Sequence, residues 1–285
     1  MSSATLYLVA TPIGNLGDLS PRAAAVLGEA AFIAAEDTRV SQKLLRHLGL
    51  HKPMVSYYEH NRRQRGEEIL ARLLAGESCA LVTDAGTPAV SDPGEDLVAL
   101  CAAHGVPCIP VPGACAAVCA LAASGLPSGR WCFEGFLSVN KKARREHLAA
   151  LQNETRTMIF YEAPHKLRAT LTDLAAAFGE GRRLSLSREL TKLHEETLRM
   201  TLGEAVRFYA EQAPRGEFVL VVEGCPADDT EAEGDAAFAL ALDEVRQRVA
   251  AGETLKDAVK FASAARGVKK NALYQRALEE RGHEE

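Results

Sequence analysis

Short apolar segments alternate with helix-length segments along the first 125 residues of this 285-residue chain. Parallel strands need a long crossover, usually a helix, between one strand and the next. The alternation therefore predicts an α/β fold with a mostly parallel sheet that helices cover on both faces. The predicted strands of this sheet are residues 5–10, 32–35, 55–58, 79–82 and 106–111.

A second α/β unit follows the sequence GLPSGR at 125–130, whose glycine, proline and serine content is typical of a linker. Its predicted strands are residues 131–136, 157–161, 183–186 and 217–222, and its predicted helices are residues 141–151, 164–178 and 202–211. We therefore predict one α/β domain over residues 1–124 and a second over residues 125–224.

The last part of the chain is predicted to be helical. Residues 225–236, within CPADDTEAEGDAA, are acidic and poor in large apolar side chains, which predicts a flexible linker. Residues 237–285 carry helical apolar spacing and the segment ARGVKKNALYQRAL, which predicts a small helix-turn-helix-like domain. Its lysines Lys269 and Lys270 could contact RNA, and a packing or dimerisation role is the alternative.

The segment TDAGTPAVSDPG at 83–94 has the strongest ligand-site character. It joins a short buried strand to a helix, and its glycines and prolines force a sharp turn beside short polar side chains. Ligands of open α/β sheets sit at the carboxyl ends of the strands, where this turn would lie. An ordinary strand-to-helix connection is the alternative reading.

Composition narrows the class of protein. The formal charge of −5 gives no overall nucleic-acid signature, so any basic binding face has to be local. Seven scattered cysteines without a CxxC pair predict reduced thiols and no metal site. No apolar run approaches the length of a membrane span, and with no secretory leader pattern we expect a cytoplasmic protein that does not bind a membrane. Walker, HExxH and GxSxG motifs are absent.

Seven ordered loop motifs, taken together, resemble the tetrapyrrole methylase superfamily of S-adenosylmethionine-dependent methyltransferases. More closely, they resemble its bacterial branch of small-subunit ribosomal RNA cytidine 2′-O-methyltransferases. The motifs, which lie within residues 5–224, are ATPIGNLGD, EDTR, YYEHNRR, DAGTPAVSDPG, VPGACA, FYEAPHKL and SRELTKLHEE. The resemblance implies a two-domain α/β fold with a small C-terminal helical domain, S-adenosylmethionine as cofactor, an assembly that is usually a homodimer, and ribosomal RNA or the small ribosomal subunit as partner.

The resemblance also implies the cofactor residues. The cofactor is a zwitterion with an adenine ring and a sulfonium, so its pocket needs backbone donors and acceptors more than one strong charge. The residues implied are Pro12, Asp84, Gly86, Thr87, Pro88, Ser91, Pro112 and Gly113, with Tyr161 and Phe218 near the adenine. Turn geometry alone is the alternative for Pro12, Pro112 and Gly113.

Methyl transfer to a ribose hydroxyl needs a group that removes a proton or stabilises the developing alkoxide. Two loops combine carboxylates with a cation and are the predicted catalytic groups, with surface or interface salt bridges as the alternative. The candidates are Glu36, Asp37 and Arg39 on one loop and Glu189 and Lys192 on the other. Asp84 and Asp92 are expected to shape the cofactor loop.

RNA binding needs cations that face phosphates, and a solvated helix face is the alternative for each cluster. The predicted RNA-binding residues are Arg62, Arg63, Lys141, Lys142, Arg144, Arg145, Arg188, Lys269 and Lys270. Two other functions stay open at this point, namely a C-methyltransferase that acts on a porphyrin or corrin precursor, and a non-catalytic RNA-binding module on the same fold.

Overall fold

The structure, a computed structural model, describes residues 4–282, and for residues 227–235 and 279–282 it describes the backbone alone. The first five described strands in the chain form one parallel sheet. They are β1 (Leu6–Val9), β2 (Phe32–Ala35), β3 (Met54–Ser56), β4 (Cys79–Val82) and β5 (Cys108–Val111), in the spatial order β3-β2-β4-β1-β5. The predicted parallel sheet is confirmed.

Helices cover both faces of this sheet. The crossover helices are α1 (Pro21–Glu29), α2 (Thr38–His47), α3 (Arg62–Leu74) and α4 (Glu95–Ala103). Leu27 and Leu45 pack with Ile33 on one face, while Ile69 and Leu97 pack with Phe32 on the other. Alternate residues of β2 therefore enter opposite cores, as the period of a strand requires.

The second sheet is mixed. Its strands are β6 (Trp131–Phe136), β7 (Thr157–Glu162), β8 (Arg183–Arg188), β9 (Glu196–Thr201) and β10 (Phe218–Val222), in the spatial order β6-β7-β10-β8-β9. Only β6 and β7 run parallel, and the other pairings are antiparallel. The helices of this part are α6 (Lys141–Ala150), α7 (Leu167–Phe178) and α8 (Leu202–Glu211). Strand β9 was not predicted, because it is a half-exposed edge strand whose sequence ETLRMT lacks a continuous apolar run.

Helix α5 (Ala116–Ser124) connects the two sheets in sequence and packs on the second one. Its residues Ala117, Ala120 and Leu121 are buried against Ile159 and Val221. Both sheets belong to one compact unit, made of residues 4–149 and 156–223. The predicted boundary after residue 124 falls between the sheets, but α5 precedes that boundary and packs on the second sheet, so the domain limits stay a prediction.

Residues 150–155 and 224–282 form a second compact unit, which contains α9 (Ala227–Ala250), α10 (Leu255–Arg266) and α11 (Lys270–Gly282). Buried Ala241, Val245, Val259 and Leu273 form its core. The predicted linker at 225–236 is helical from residue 227 on, which corrects that prediction. Alanine and glutamate favour helices, and negative charge is favoured near a helix N-terminus, so an acidic alanine-rich stretch need not be a tether.

None of the described helices combines the length and the apolar character that a membrane span requires.

Candidate active site

A cavity of about 450 Å3, called the main cavity below, lies where loops at the carboxyl ends of β1, β2 and β4 meet loops of the second sheet. Its size falls within the range of small-ligand sites. The first half of the chain contributes Ile13, Glu36, Thr83, Asp84, Ala85, Gly86, Thr87, Val90, Ser91, Asp92, Cys115 and Ala116. The second half contributes Phe136, Tyr161, Glu162, Ala163, Pro164, Leu190, Lys192, Glu217, Phe218 and Val219.

The turn at 83–94 forms one wall of the main cavity and is fixed by backbone hydrogen bonds. The Thr11 N–H donates to the Gly86 carbonyl at 2.8 Å, and the Gly86 N–H donates back to the Thr11 carbonyl at 3.1 Å. The Thr87 hydroxyl donates to the Ala114 carbonyl at 3.0 Å. Three loops are thereby joined, namely those that begin with TPIG, TDAG and VPGA.

Backbone strain is concentrated at this site. The non-glycine residues with positive φ among those described are Ala89 and Ser91 in the turn, and Glu189 and Thr191 in the loop after β8. Such conformations cost about 1 to 3 kcal/mol each and persist where the surrounding structure fixes them, commonly at ligand sites. Both strained loops contribute residues to the main cavity.

Carboxylates gather on one side of the main cavity. The Thr83 hydroxyl donates to Glu36 Oε2 at 2.7 Å, and the Asp37 N–H donates to Asp84 Oδ1 at 3.1 Å. Burial, followed by the nearby negative charge of Glu36, raises the pKa of Asp92 to about 6. The same two causes raise the pKa of Asp84. This side of the cavity therefore attracts cations and holds a carboxyl group that titrates near neutrality.

Of the predicted catalytic residues on the first loop, only Glu36 lines the main cavity. Asp37 caps helix α2 and holds the exposed Arg39, whose Nη2 lies 2.6 Å from Asp37 Oδ2. These hydrogen bonds from Arg39 lower the pKa of Asp37 to about 2. Asp37 and Arg39 are thus engaged with each other in this structure.

On the second loop, Lys192 lines the main cavity and Glu189 does not. The Lys192 Nζ donates to Glu189 Oε1 at 2.9 Å and to Glu217 Oε2 at 2.8 Å. Burial acts to lower the pKa of Lys192, but these two carboxylates outweigh it and raise that pKa. A cation is thereby kept charged at the cavity wall. Gly14 packs directly against the side chain of Lys192, so the first loop leaves no space there for a larger residue.

Aromatic side chains form the opposite wall. The Tyr161 hydroxyl accepts a hydrogen bond from the Ala117 N–H at 3.1 Å, and burial raises the pKa of Tyr161 to about 12. The rings of Phe133 and Phe136 meet Tyr161 edge to face, with ring centroids 5.0 Å and 5.6 Å away. Phe218 is buried at the same wall. The main cavity thus combines an aromatic side with an acidic side.

The structure brings together six of the predicted cofactor residues at the main cavity and leaves four outside its lining. Those inside are Asp84, Gly86, Thr87, Ser91, Tyr161 and Phe218. Pro12, Pro88, Pro112 and Gly113 are not part of the lining. A Cβ on Gly113 would lie 2.8 Å from the Ala10 Cβ, so close backbone packing is sufficient to explain that glycine.

Glu162 is a cavity residue that was not predicted from the sequence. Its side chain is only 3% exposed, and it accepts hydrogen bonds from the Ala163 N–H at 2.8 Å and from the Thr170 hydroxyl. The motif FYEAPHKL contained it, but a carboxylate at the end of an apolar strand gave no sign that it would be buried beside a ligand site.

The predicted RNA-binding residues differ in their environment. Lys141, Lys142, Arg145, Lys269 and Lys270 are exposed. Arg188 is paired with Glu196, with Nη2 3.1 Å from Oε2. Arg144 is only 9% exposed, and its Nε lies 2.6 Å from Asp173 Oδ2, which joins helices α6 and α7. This corrects the prediction for Arg144, because a buried and paired guanidinium is not presented to RNA.

We expect Arg144→Met to lower the free energy of unfolding by about 2 to 3 kcal/mol, because it leaves Asp173 without its partner in a mostly buried position. Arg145→Met is the matched control. Arg145 is exposed, so its replacement should change the free energy of unfolding by less than about 0.5 kcal/mol. Urea denaturation measures both. Equal stabilities of the two variants would contradict a structural role for Arg144.

Among the described residues, no group of three or more His, Cys, Asp or Glu side chains is arranged to hold a metal ion.

Comparison with family models gives two matches. A model described as tetrapyrrole (corrin/porphyrin) methylases matches residues 5–206, and one described as the RsmI C-terminal HTH domain matches residues 228–281. Together they cover the first sheet, four of the five strands of the second sheet and all but the ends of the C-terminal helices.

Similar proteins extend over nearly the full chain. The ribosomal RNA small subunit methyltransferase I of Synechocystis sp. is 47% identical over 274 residues, which is 96% of this chain and 97% of that protein. The protein of the same name from Pseudomonas aeruginosa is 46% identical over 284 residues, which is 99% of each.

Solved structures share the fold at lower identity. The methyltransferase CobJ superposes with a TM-score of 0.59 at 23% identity, over 78% of this chain and 95% of CobJ. Uroporphyrin-III C-methyl transferase from Thermus thermophilus, complexed with S-adenyl homocysteine, gives a TM-score of 0.54 at 21% identity, over 76% of this chain and 97% of its own. These similarities concern the α/β fold alone.

Proposed function

The chain belongs to the tetrapyrrole methylase family and, within it, to the ribosomal RNA small subunit methyltransferases I. We propose that it transfers a methyl group from S-adenosylmethionine to the 2′-hydroxyl of a cytidine ribose in small-subunit (16S) ribosomal RNA. The observation that carries the proposal is identity of 46% to 47% over at least 96% of the chain, which includes the helical unit. The ribose position and the cytidine rest on the resemblance of the loop motifs.

The main cavity fits S-adenosylmethionine in shape and charge. Tyr161, Phe136 and Phe218 offer apolar ring faces and edges for an adenine, while Asp84 offers negative charge for the amino group. Gly86 has φ +92, and a Cβ on it would lie 3.4 Å from Ile13 and 3.7 Å from the Ala114 carbonyl. The missing side chain leaves backbone for a ligand to approach.

When bound, the cofactor supplies an electrophilic methyl group. The chain has to hold the ribose hydroxyl in line with it and take up the hydroxyl proton. We assign the proton acceptor to Asp92, because it lines the main cavity and its pKa lies near neutrality. Glu36 raises that pKa and is held by Thr83. This assignment replaces the role first expected for Asp92, which was to shape the loop.

Lys192 is the proposed stabiliser of the developing negative charge on oxygen. It is the cation that lines the main cavity among the described residues, and Glu189 and Glu217 hold its ammonium in place. A fixed cation acts most strongly where water is excluded. Glu189 is therefore a positioning residue for Lys192.

The proposed RNA face consists of exposed cations outside the main cavity. Those in the first unit are Arg62, Arg63, Lys141, Lys142 and Arg145, and those in the helical unit are Lys269 and Lys270. Phosphate contacts of this kind position RNA without reading its sequence. We also propose a cytoplasmic homodimer, for which exposed apolar side chains such as Val139 and Leu193 are suitable contact residues.

The function is tested with radiolabelled S-adenosylmethionine and two substrates, small ribosomal subunits from cells that lack this activity and a porphyrinogen. We expect label in the subunits, and nuclease digestion with mass spectrometry should locate it on a cytidine ribose. Calorimetry should detect cofactor binding to the protein alone.

Three outcomes would contradict the proposal. Label in the porphyrinogen alone would favour the C-methyltransferase. A methyl group on a base would exclude 2′-O-methylation. Failure to bind the cofactor at all would favour a non-catalytic RNA-binding module.

A further inference from the structure

A second cavity, of about 310 Å3, lies beside the first turns of helices α3 and α4. The residues that matter for its chemistry are Tyr57, Arg62, Arg63, Gly66, Asp96 and Leu100. None of them lines the main cavity. The second cavity is therefore a separate space within the same compact unit.

The Tyr57 hydroxyl is the feature that this packing leaves unexplained. Tyr57 is 1% exposed, and its hydroxyl hydrogen has no acceptor among the described residues. Burial first, and then the charge of Asp96, raise its pKa to about 12, while Arg62 and the Leu97 amide act in the opposite direction. Asp96, Arg62 and Leu97 all line the second cavity, so the hydroxyl end of Tyr57 faces that space.

Charged side chains stand at the entrance. Arg62 Nε lies 3.1 Å from Asp96 Oδ2, and Arg62 Nη1 lies 3.3 Å from Glu59 Oε2. All three side chains are largely exposed, so these ion pairs contribute little and can be exchanged for other partners. Arg63 has no ion pair with any described residue and is available to an anion.

Apolar surface completes the second cavity. Leu97 and Leu100 of α4 face Gly66 of α3, and a Cβ on Gly66 would lie 3.6 Å from Leu100 Cδ2. The glycine thus lets α3 approach α4 closely and leaves this part of the cavity wall without a side chain. An apolar wall with polar groups at one end and cations at the entrance has the chemistry of a nucleobase site.

The second cavity is linked to the main cavity through shared elements. Asp92 lines the main cavity, and Asp96 lines the second one four residues later. Glu36 follows β2 and Tyr57 follows the neighbouring strand β3, and the Tyr57 N–H donates to the Ala35 carbonyl at 2.8 Å. Both cavities therefore lie at the carboxyl edge of the first sheet.

We propose that the second cavity binds the unstacked base of a nucleotide that neighbours the methylated one in the RNA strand. The ring lies against the surface formed by Gly66 and Leu100, an exocyclic amino group donates to Asp96, and the Tyr57 hydroxyl donates to the polar edge of the base. The phosphate of this nucleotide binds Arg63, with Arg62 turning from Asp96 towards it. This inference rests on the proposed RNA substrate.

The test measures methylation by the full chain at increasing concentrations of small ribosomal subunits. Tyr57→Phe removes the hydroxyl and keeps the ring, so KM for subunits should rise about 3- to 10-fold, as expected for one lost hydrogen bond. The kcat value and the affinity for S-adenosylmethionine should not change. Tyr58→Phe is the matched control, because Tyr58 is exposed and does not line the second cavity, and it should leave KM unchanged.

A second variant, Gly66→Leu, fills the second cavity without removing a charge. Leucine favours a helix more than glycine does, so the fold should be kept, and KM should rise more than it does in Tyr57→Phe. Because Tyr57→Phe removes a buried hydroxyl whose hydrogen has no acceptor, it should not lower the Tm.

Normal KM values for both variants would overturn the base site and leave the methyltransferase function intact. Weaker binding of S-adenosylmethionine in these variants would also overturn it, by assigning the cavity to the cofactor. If the unmodified protein fails to methylate subunits, the proposed function is wrong, and this result is distinct from the other two.

Discussion

Gly86→Val is expected to lower the affinity for S-adenosylmethionine about 100-fold, since displacement of the turn would remove about two hydrogen bonds to the cofactor, each worth roughly 1.5 kcal/mol. Gly86 combines φ +92 with two backbone hydrogen bonds to Thr11 and a position in the lining of the main cavity. A branched side chain there would push against Ile13 and the Ala114 carbonyl. Calorimetry on the purified variant measures the loss.

Gly76→Val is a closely matched control for this experiment. Gly76 has φ +98, but a Cβ at that position would meet no atom within 4 Å, and it lies outside the main cavity. Both variants should lose about 1 to 3 kcal/mol of stability through the backbone conformation alone. Only Gly86→Val should lose cofactor binding. Equal affinities in the two variants would show that the turn at 83–94 does not hold the cofactor.

Elements that one local rule determines could be predicted from the amino-acid sequence. A serine followed by a proline is a typical helix start, and at α1 the Ser20 hydroxyl accepts from the Ala23 N–H at 3.1 Å while Pro21 is the first residue of the helix. The buried strand β4 and the turn after it were recognised from an apolar run followed by glycines and prolines. Such features are encoded within a few residues, so no knowledge of distant contacts is needed.

Side-chain partners could not be predicted in the same way, because they depend on residues that are far apart in sequence. The EDTR motif predicted three catalytic groups, but Arg39 is neutralised by Asp37 and only Glu36 reaches the main cavity. Arg144 looked like an exposed cation until α7 brought Asp173 against it. Tertiary packing decides whether a charge is structural or available to a ligand.

The carboxylates illustrate the same limit and lead to the second prediction. From sequence, Asp92 was one of several polar residues in a turn, and nothing indicated that it would be buried beside Glu36 and Asp84. Together, burial and these charges bring its pKa to about 6. A base with a pKa near the working pH is well suited to accept a proton during the reaction.

We therefore expect Asp92→Asn to lower kcat by about 100- to 10,000-fold, the usual contribution of general base catalysis. Affinity for S-adenosylmethionine should change much less. In the unmodified enzyme kcat should increase with pH up to about 6 and then level off, because Asp92 has to be ionised. Glu36→Gln should move this acid limb to lower pH, since it removes a negative charge that raises the pKa of Asp92.

As the pH rises from 4 to 7, the free energy of unfolding of the unmodified protein should fall while its kcat increases. The pKa of Asp92 is higher in the folded than in the unfolded protein. The contribution of Asp92 to the free energy of unfolding is therefore fully present below about pH 4 and is lost as the pH rises through about 6. Asparagine does not ionise, so the Tm of Asp92→Asn should exceed that of the unmodified protein increasingly from pH 4 to pH 7. Glu95→Gln, an exposed carboxylate three residues away, is the matched control and should change neither kcat nor this Tm difference. If Asp92→Asn keeps the same kcat and the same rise of kcat with pH, the proton acceptor is another group. If the variant is slow but more stable, the protein gives up folding free energy to hold a base at the main cavity.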